Sequence, residues 1–216
     1  MLKFYGYFRS SAAYRCRIAF NLKEIEYDLN LVHLRKNGGQ QKLPDYINLN
    51  PQALIPSIKE DDFILTQSMA IIEWIDEKYP EPKFIPKDIN MRALVRAFSQ
   101  IIACDIHPLQ NLRVLEYLTN DLKQDQKSLD KWCQRWLGEG LAACEKIILR
   151  HHLNQKFCFG NVPTLADICL VPQIFSAQRF GVDLSEMPNL MRIFKNCSLL
   201  DAFNDAHPLK QPDAEN

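Results

Sequence analysis

The sequence predicts two domains of different class: an α/β domain over residues 1–82 and an all-α domain over residues 90–216, joined by a linker at 83–89. Three observations carry that reading. Over about the first 80 residues the hydrophobic period changes repeatedly, as it does where short strands alternate with helices. The run Pro80-Glu81-Pro82-Lys83-Phe84-Ile85-Pro86 places three prolines in seven residues and cannot continue a helix. Beyond it, apolar residues recur only at helical spacing. The length of 216 residues agrees, being comfortable for two small cores and awkward for one.

Each element has a local cause. Leu2 to Gly6 is short and rich in β formers, and reads as a first strand. From Ser11 onward, Tyr14, Ile18, Ala19 and Leu22 share a helical face behind two serines suited to cap it. Residues 25–31 alternate apolar and polar as a second strand, and the polar stretch around Gly38-Gly39 reads as a loop with a short helix. Two strand-like runs, Pro56 to Lys59 and Phe63 to Leu65, flank Glu60-Asp61-Asp62 as a tight hairpin. Ser68 then opens a helix carrying Met69, Ile71, Ile72, Trp74, Ile75 and Tyr79. In the second domain helical patterns cover about 90–118, 127–151, 164–178 and 188–199, one of them with a stripe from Trp132 to Ile148. Residues 211–216 read as a frayed tail.

Composition excludes several classes. Lys and Arg number 26 against 26 Asp and Glu, so no basic surface announces a nucleic-acid partner. No leader-like N-terminus and no apolar run of about 18 residues is present, which argues against secretion and membrane spanning and for a cytoplasmic protein. The seven cysteines are widely spaced, without a CxxC pair or a Cys/His cluster at zinc spacing, so no metal is expected. Cys133, Cys144 and Cys169 lie in apolar helical patterns, where cysteine is a small buried hydrophobe. Asn196-Cys197-Ser198 matches a glycosylation acceptor only formally, because nothing routes the chain to that enzyme.

Four segments carry polar groups at element ends. In Phe8-Arg9-Ser10-Ser11-Ala12-Ala13-Tyr14-Arg15, two hydroxyls sit where a strand gives way to a helix. Free N–H groups and the helix dipole favour an anion there, including a thiolate, although plain N-capping accounts for the same residues. In Asn50-Pro51-Gln52-Ala53-Leu54-Ile55-Pro56, a proline begins a strand; a cis bond would turn the Ile55 backbone toward a peptide ligand, and a trans bond would leave an ordinary strand edge. Gln67-Ser68 before a helix offers donors to a carboxylate or simply a cap. Thr164-Leu165-Ala166-Asp167 is a capping box and reads as a folding element.

In this order and spacing, these segments resemble the cytosolic glutathione transferases over nearly the whole chain. YFRSSAAYRCRIAFNLK is similar to the serine-rich signature of the zeta class, the maleylacetoacetate isomerases. GGQQ, LNPQALIPSI, TQSMAIIEWI, DIHPLQNLRVL and PTLADICLVPQ resemble further blocks of that class. The resemblance implies a thioredoxin-like N-terminal domain that binds reduced glutathione, followed by a helical bundle that supplies the second-substrate pocket. It implies that Ser10, with Ser11 beside it, stabilises the glutathione thiolate, with Ala12, Ala13, Tyr14 and Arg15 completing that segment. Gln41 would reach the glycyl end, and Ile55 would pair with the cysteinyl unit ahead of a cis Pro56. Gln67 and Ser68 would hold the γ-glutamyl carboxylate, while His107, Asn111, Leu112 and Arg113 would face the site from the second domain; His107, ahead of Pro108, reads equally as a polar residue that interrupts a helix. A homodimer is implied as well.

One position departs from the class pattern: Ala12 stands where the signature carries a cysteine. The class reaction uses the sulfur of glutathione as nucleophile, so a protein thiol there is dispensable. That reaction isomerises maleylacetoacetate to fumarylacetoacetate in tyrosine and phenylalanine breakdown. Its substrate is a small dicarboxylic keto acid, for which Arg9, Arg179 and Arg113 are the candidate cations. Maleylpyruvate isomerisation, general glutathione conjugation with a tyrosine activator such as Tyr5 or Tyr7, and a non-catalytic module of the same fold are the competing readings.

Overall fold

The computed structural model describes residues 1–151 and 155–215, which divide into two compact units. One comprises Met1–Lys83 together with the chain from Leu200 onward, and the other is Phe84–Leu199. The sequence reading counted the last segment with the helical domain; here it packs on the α/β unit.

In the first unit, β1 (Lys3–Gly6) is followed by α1 (Ser11–Leu22), β2 (Asp28–Leu31), α2 (Pro44–Leu49), β3 (Ser57–Glu60), β4 (Phe63–Thr66) and α3 (Ser68–Lys78). Two short 3₁₀ turns, Lys36–Gly38 and Gln40–Lys42, fill the polar stretch around the glycine pair. The sheet order is β2-β1-β3-β4, with β1 parallel to β2 through the α1 crossover and antiparallel to β3. This is the thioredoxin-like arrangement the sequence implied. The hairpin turns at Asp61-Asp62, and Asp61 adopts φ 53°, a conformation in which Asp is better tolerated than most side chains.

The core of this unit comes from the apolar faces already legible in the sequence. Phe4, Ile18, Phe20, Ile58, Ile71, Ile72 and Ile75 are all fully buried. Phe4 and Phe20 meet edge to face at 5.0 Å, a favoured aromatic geometry. The Lys23 ammonium, buried at the end of α1, pairs with Asp76 at 2.9 Å and also donates to the carbonyls of Tyr79 and Pro82. Its charge is compensated from three sides, as a buried cation requires.

Among its described residues the second unit is all-helical apart from an isolated bridge between Phe157 and Gly160. It contains α4 (Ile89–Gln100), α5 (Leu112–Asn120), α6 (Gln126–His151), α7 (Leu165–Arg179) and α8 (Pro188–Ser198). The expected helix over about 90–118 is interrupted. A π-helical stretch, Ile101–Ile106, and a 3₁₀ turn, His107–Gln110, separate α4 from α5, because Pro108 cannot donate a helical N–H and Asn111 restarts the helix as an N-cap. Helix α7 is buried on nearly every side, so it is the centre of this core. The Thr164–Asp167 capping box forms: Asp167 accepts the Thr164 N–H and the Thr164 hydroxyl, and also the Cys158 N–H at 2.8 Å.

The short helix α9 (Asp201–Asp205) and the chain after it return to the first unit. Phe203 and Ala206 are buried, and Asn21 on α1 donates to the Ala202 carbonyl at 3.0 Å. The tail is therefore not frayed as the sequence suggested. Asp213 accepts the Phe8 N–H at 2.9 Å, and Glu215 pairs with His33 and Lys36; residue 216 lies outside the described residues.

Candidate active site

Sheet register decides which of the candidate residues meet. Tyr5 on β1 faces Ser57 on β3, and Ser57 faces Thr66 on β4. The C-terminal end of β1, the start of β3 and the end of β4 thus lie along one edge of the sheet. The segments that leave or enter there are Tyr7–Ser10, Ile55-Pro56 and Gln67-Ser68, three of the four polar segments singled out in the sequence. The fourth, the capping box, belongs to the second unit and is purely structural.

Ser10 is the N-cap of α1, with extended backbone (φ −71°, ψ 116°) and its Oγ accepting the Ala13 N–H at 3.2 Å. The capping reading is thus correct, yet it leaves the hydroxyl proton free to be donated elsewhere, since a serine hydroxyl accepts and donates at once. Ser10 is half-buried, whereas Ser11, Ala12, Ala13, Tyr14 and Arg15 are buried in the first turns of the helix. Ala13 has only its backbone to offer, and its N–H serves Ser10. Tyr14 packs edge-on to His207 and beneath the Arg17 guanidinium. No acidic residue lies in the first turn of α1, so the positive end of the helix dipole is not offset from within the helix.

Arg9 is exposed, its guanidinium over the Phe8 ring at 5.0 Å. Gln41 is buried and donates its amide to the Leu34 carbonyl at 3.3 Å. The Ile55–Pro56 peptide bond is cis. Gln67 holds φ 71° immediately before α3, its exposed amide donating to Gln52 Oε1 at 2.7 Å, and Ser68 is buried at the first position of that helix. The α1 and α3 N-termini therefore open at the same edge of the sheet, a pairing of positive helix ends that suits a ligand with several anionic groups.

Tyr7 is unsuited to the activator's role. It is buried against Phe8 and His33, and burial pushes its phenol above the usual range. Cys16, the one cysteine of α1, is fully buried too.

In the second unit, His107 is half-buried at the start of the 3₁₀ turn, and Asn111 caps α5 by accepting the Arg113 N–H at 3.2 Å. Leu112 is the first residue of α5 and half-buried, and Arg113 is exposed. Arg179 lies in the last turn of α7 with its guanidinium over the Phe180 ring at 4.6 Å.

Sequence reasoning missed two residues of the first unit. Arg17, 2% exposed, donates from Nη2 to the Phe8 carbonyl and from Nε to the Ala206 carbonyl, both at 3.0 Å. Asp213 holds the other side of the same peptide segment. Arg17 has a helical position but no local signal of its partners, and Asp213 lies in the stretch that reads from sequence as a frayed tail.

Two domain models match the chain: the glutathione S-transferase N-terminal domain over residues 9–78, and the glutathione S-transferase C-terminal domain over residues 124–201. The maleylacetoacetate isomerase of Pseudomonas aeruginosa is 41% identical over 98% of both chains. The chain belongs to the glutathione S-transferase family. Its place within that family is the zeta class: a solved bacterial zeta-class transferase, a maleylpyruvate isomerase, superposes with a TM-score of 0.95 at 41% identity, covering 99% of this chain and 100% of the other. Maleylacetoacetate isomerase from Methylobacterium extorquens AM1, solved with malonate and glutathione bound, gives a TM-score of 0.94 at 34% identity over 99% of this chain and all of the other. Both share the thioredoxin-like and helical domains described above.

Proposed function

We infer that this zeta-class protein is an enzyme, a glutathione-dependent cis-trans isomerase that converts maleylacetoacetate to fumarylacetoacetate. The observation that carries the reading is Ser10. Its Oγ is fixed by the first turn of α1 while its proton remains available at the helix's positive end, in a chain that aligns end to end with isomerases of this chemistry.

The residues at the sheet edge fit glutathione, a peptide with two carboxylates and a thiol. The α3 N-terminus with Gln67 and Ser68 suits the γ-glutamyl carboxylate, the Ile55 backbone suits the cysteinyl unit, and Gln41 lies toward the glycyl end. Bound there, glutathione would supply the thiolate nucleophile for reversible addition to the keto acid's double bond, the chemistry of a cis-trans isomerisation. Ser10 donates its proton toward the sulfur and, with the α1 dipole, favours the thiolate over the thiol. Ser11 backs that position from inside the helix. Arg9, exposed beside Ser10, is suited to hold a substrate carboxylate or the developing enolate, and Arg179 and Arg113 are the candidates from the helical unit. His107, Asn111 and Leu112 form the segment of that unit proposed to face the ligand.

Maleylpyruvate is the second reading for the same machinery, favoured by the 41% identity to a maleylpyruvate isomerase. We further propose a cytoplasmic homodimer serving tyrosine and phenylalanine catabolism. The test is isomerisation of maleylacetone, a stable analogue, with and without reduced glutathione. Glutathione-dependent turnover is expected, and parallel rates with maleylpyruvate rank the two keto acids. Glutathione binding without turnover would replace the isomerase with a conjugating transferase or a binding module.

A further inference from the structure

The strand-to-helix turn that carries Arg9 and Ser10 is held from outside by the end of the chain. Phe8 is the fixed point. Its N–H donates to Asp213 Oδ2 at 2.9 Å, and its carbonyl accepts from Arg17 Nη2 at 3.0 Å. The same guanidinium reaches back through Nε to the Ala206 carbonyl at 3.0 Å, so Arg17 ties the turn to the start of the tail while Asp213 ties it to the end. Within the turn, the Ser10 N–H donates to the Tyr7 carbonyl at 3.1 Å. The backbone on both sides of the Phe8 residue is thereby assigned, and half of the restraint comes from residues some two hundred positions away in sequence.

A second anchor lies two residues further on. His33 Nδ1 accepts the N–H groups of Arg35 and Lys36, at 3.1 and 2.9 Å, which assigns the ring proton to Nε2. Nε2 then donates to Glu215 Oε1 at 2.9 Å, and the His33 ring packs on Tyr7 at 4.8 Å. The tail is therefore bound to the turn and to the loop beside it.

We propose that Asp213 is a positioning residue for the thiol site, acting through the Phe8 N–H to fix the turn that presents Arg9 and Ser10. This rests on the reading of Ser10 given above. A carboxylate accepting a backbone N–H makes a charge-assisted hydrogen bond, stronger and more directional than a neutral one. Stabilisation of a thiolate by one hydroxyl depends steeply on where that hydroxyl is held. Releasing Phe8 frees the residues that follow it without opening the core, because Asp213 is only half-buried and Arg17 keeps its own carbonyl partners.

The experiment compares wild type, Asp213→Ala and Asp213→Asn in the full-length protein. Four quantities are read: ultraviolet thiolate absorbance of bound glutathione at neutral pH, kcat and KM for maleylacetone, hydrogen exchange of the Phe8 amide, and the urea midpoint. Asp213→Ala is expected to lower the thiolate fraction and kcat together by about tenfold, the scale of one lost charge-assisted hydrogen bond, and to speed Phe8 exchange. KM for the keto acid should hardly move, and the urea midpoint should fall by no more than the loss of that one hydrogen bond explains. Asp213→Asn, which keeps a side-chain acceptor, should recover most of the loss. Wild-type kcat and thiolate absorbance in Asp213→Ala would overturn the proposal, as would a loss that tracks the urea midpoint and is not recovered by Asn. Ser10→Ala, measured alongside, tests the thiolate assignment separately. If it leaves the thiolate fraction unchanged, Ser10 loses its role, while the Asp213 comparison still reports whether the tail sets the turn.

Discussion

At Ser10 one oxygen serves two partners, and substitution separates them. Ser10→Ala removes the cap on the Ala13 N–H, at a cost of about 1 kcal/mol, and also removes the donor proposed for the thiolate. Turnover should fall by more than about tenfold, well beyond what that loss of stability explains in a protein that stays folded. Ser10→Thr keeps both functions and should retain most activity; steady-state kinetics beside urea denaturation decide between the two roles. Ser11→Ala should be milder in turnover. Cysteine reactivity is a second matter of single residues. Cys104 is exposed, and Cys16, Cys133, Cys144, Cys158, Cys169 and Cys197 are buried. Burial pushes the Cys133 thiol up to about 11 and the Cys144 thiol up to about 12, so both stay protonated and shielded. A thiol reagent on the native protein should therefore modify Cys104 quickly and the other six only after denaturation, as peptide mapping of the labelled protein would reveal.

Among the elements, the contact between α6 and the π-helical stretch makes the sharpest demand. A Cβ at Gly140 would lie 2.4 Å from Ile106 Cγ1 and 2.5 Å from its Cδ1, and Ile106 is buried. Gly140→Ala improves helix propensity yet should lower stability by about 1–2 kcal/mol, because overpacking outweighs the gain. It should also disturb His107, the next residue after the π-helical stretch. The capping box is the other test: Asp167→Ala strands the Thr164 N–H, the Thr164 hydroxyl and the Cys158 N–H in a buried place, so a loss of at least about 3 kcal/mol is expected in urea unfolding. These elements differ in how far the sequence revealed them. The α1 cap, the β3–β4 hairpin and the capping box were legible because their signals are local. The break after Gln100 was not, although Pro108 and Asn111 were in plain view, because an apolar period continues through residues whose backbone leaves the α-helix.

For the whole molecule, pH dependence follows from the buried thiols. The folded Cys144 thiol sits at about 12 against an ordinary 9.0, so the unfolded chain releases this proton first as pH rises. The stabilisation is complete below the ordinary thiol range and is lost progressively as pH climbs through it toward about 12. The urea midpoint should fall over that alkaline interval, and Cys144→Ala should flatten part of the slope relative to wild type. The proposed homodimer is checked by light scattering after size exclusion, where a single species of 25.1 kDa would defeat it. The two-domain plan was legible in the sequence from three prolines and a change of period, but the return of the chain to its first unit was not. The contacts that bring it back, Arg17 to Ala206 and Phe8 to Asp213, join residues too distant for any local pattern to couple.

That return has a consequence for how the molecule is made. The α/β unit emerges first in synthesis, yet the segment that covers α1 and pins the Phe8 turn is translated only after all of Phe84–Leu199. The sheet is thus complete while the Phe8 turn is still unsecured, until the segment from Leu200 onward has been made.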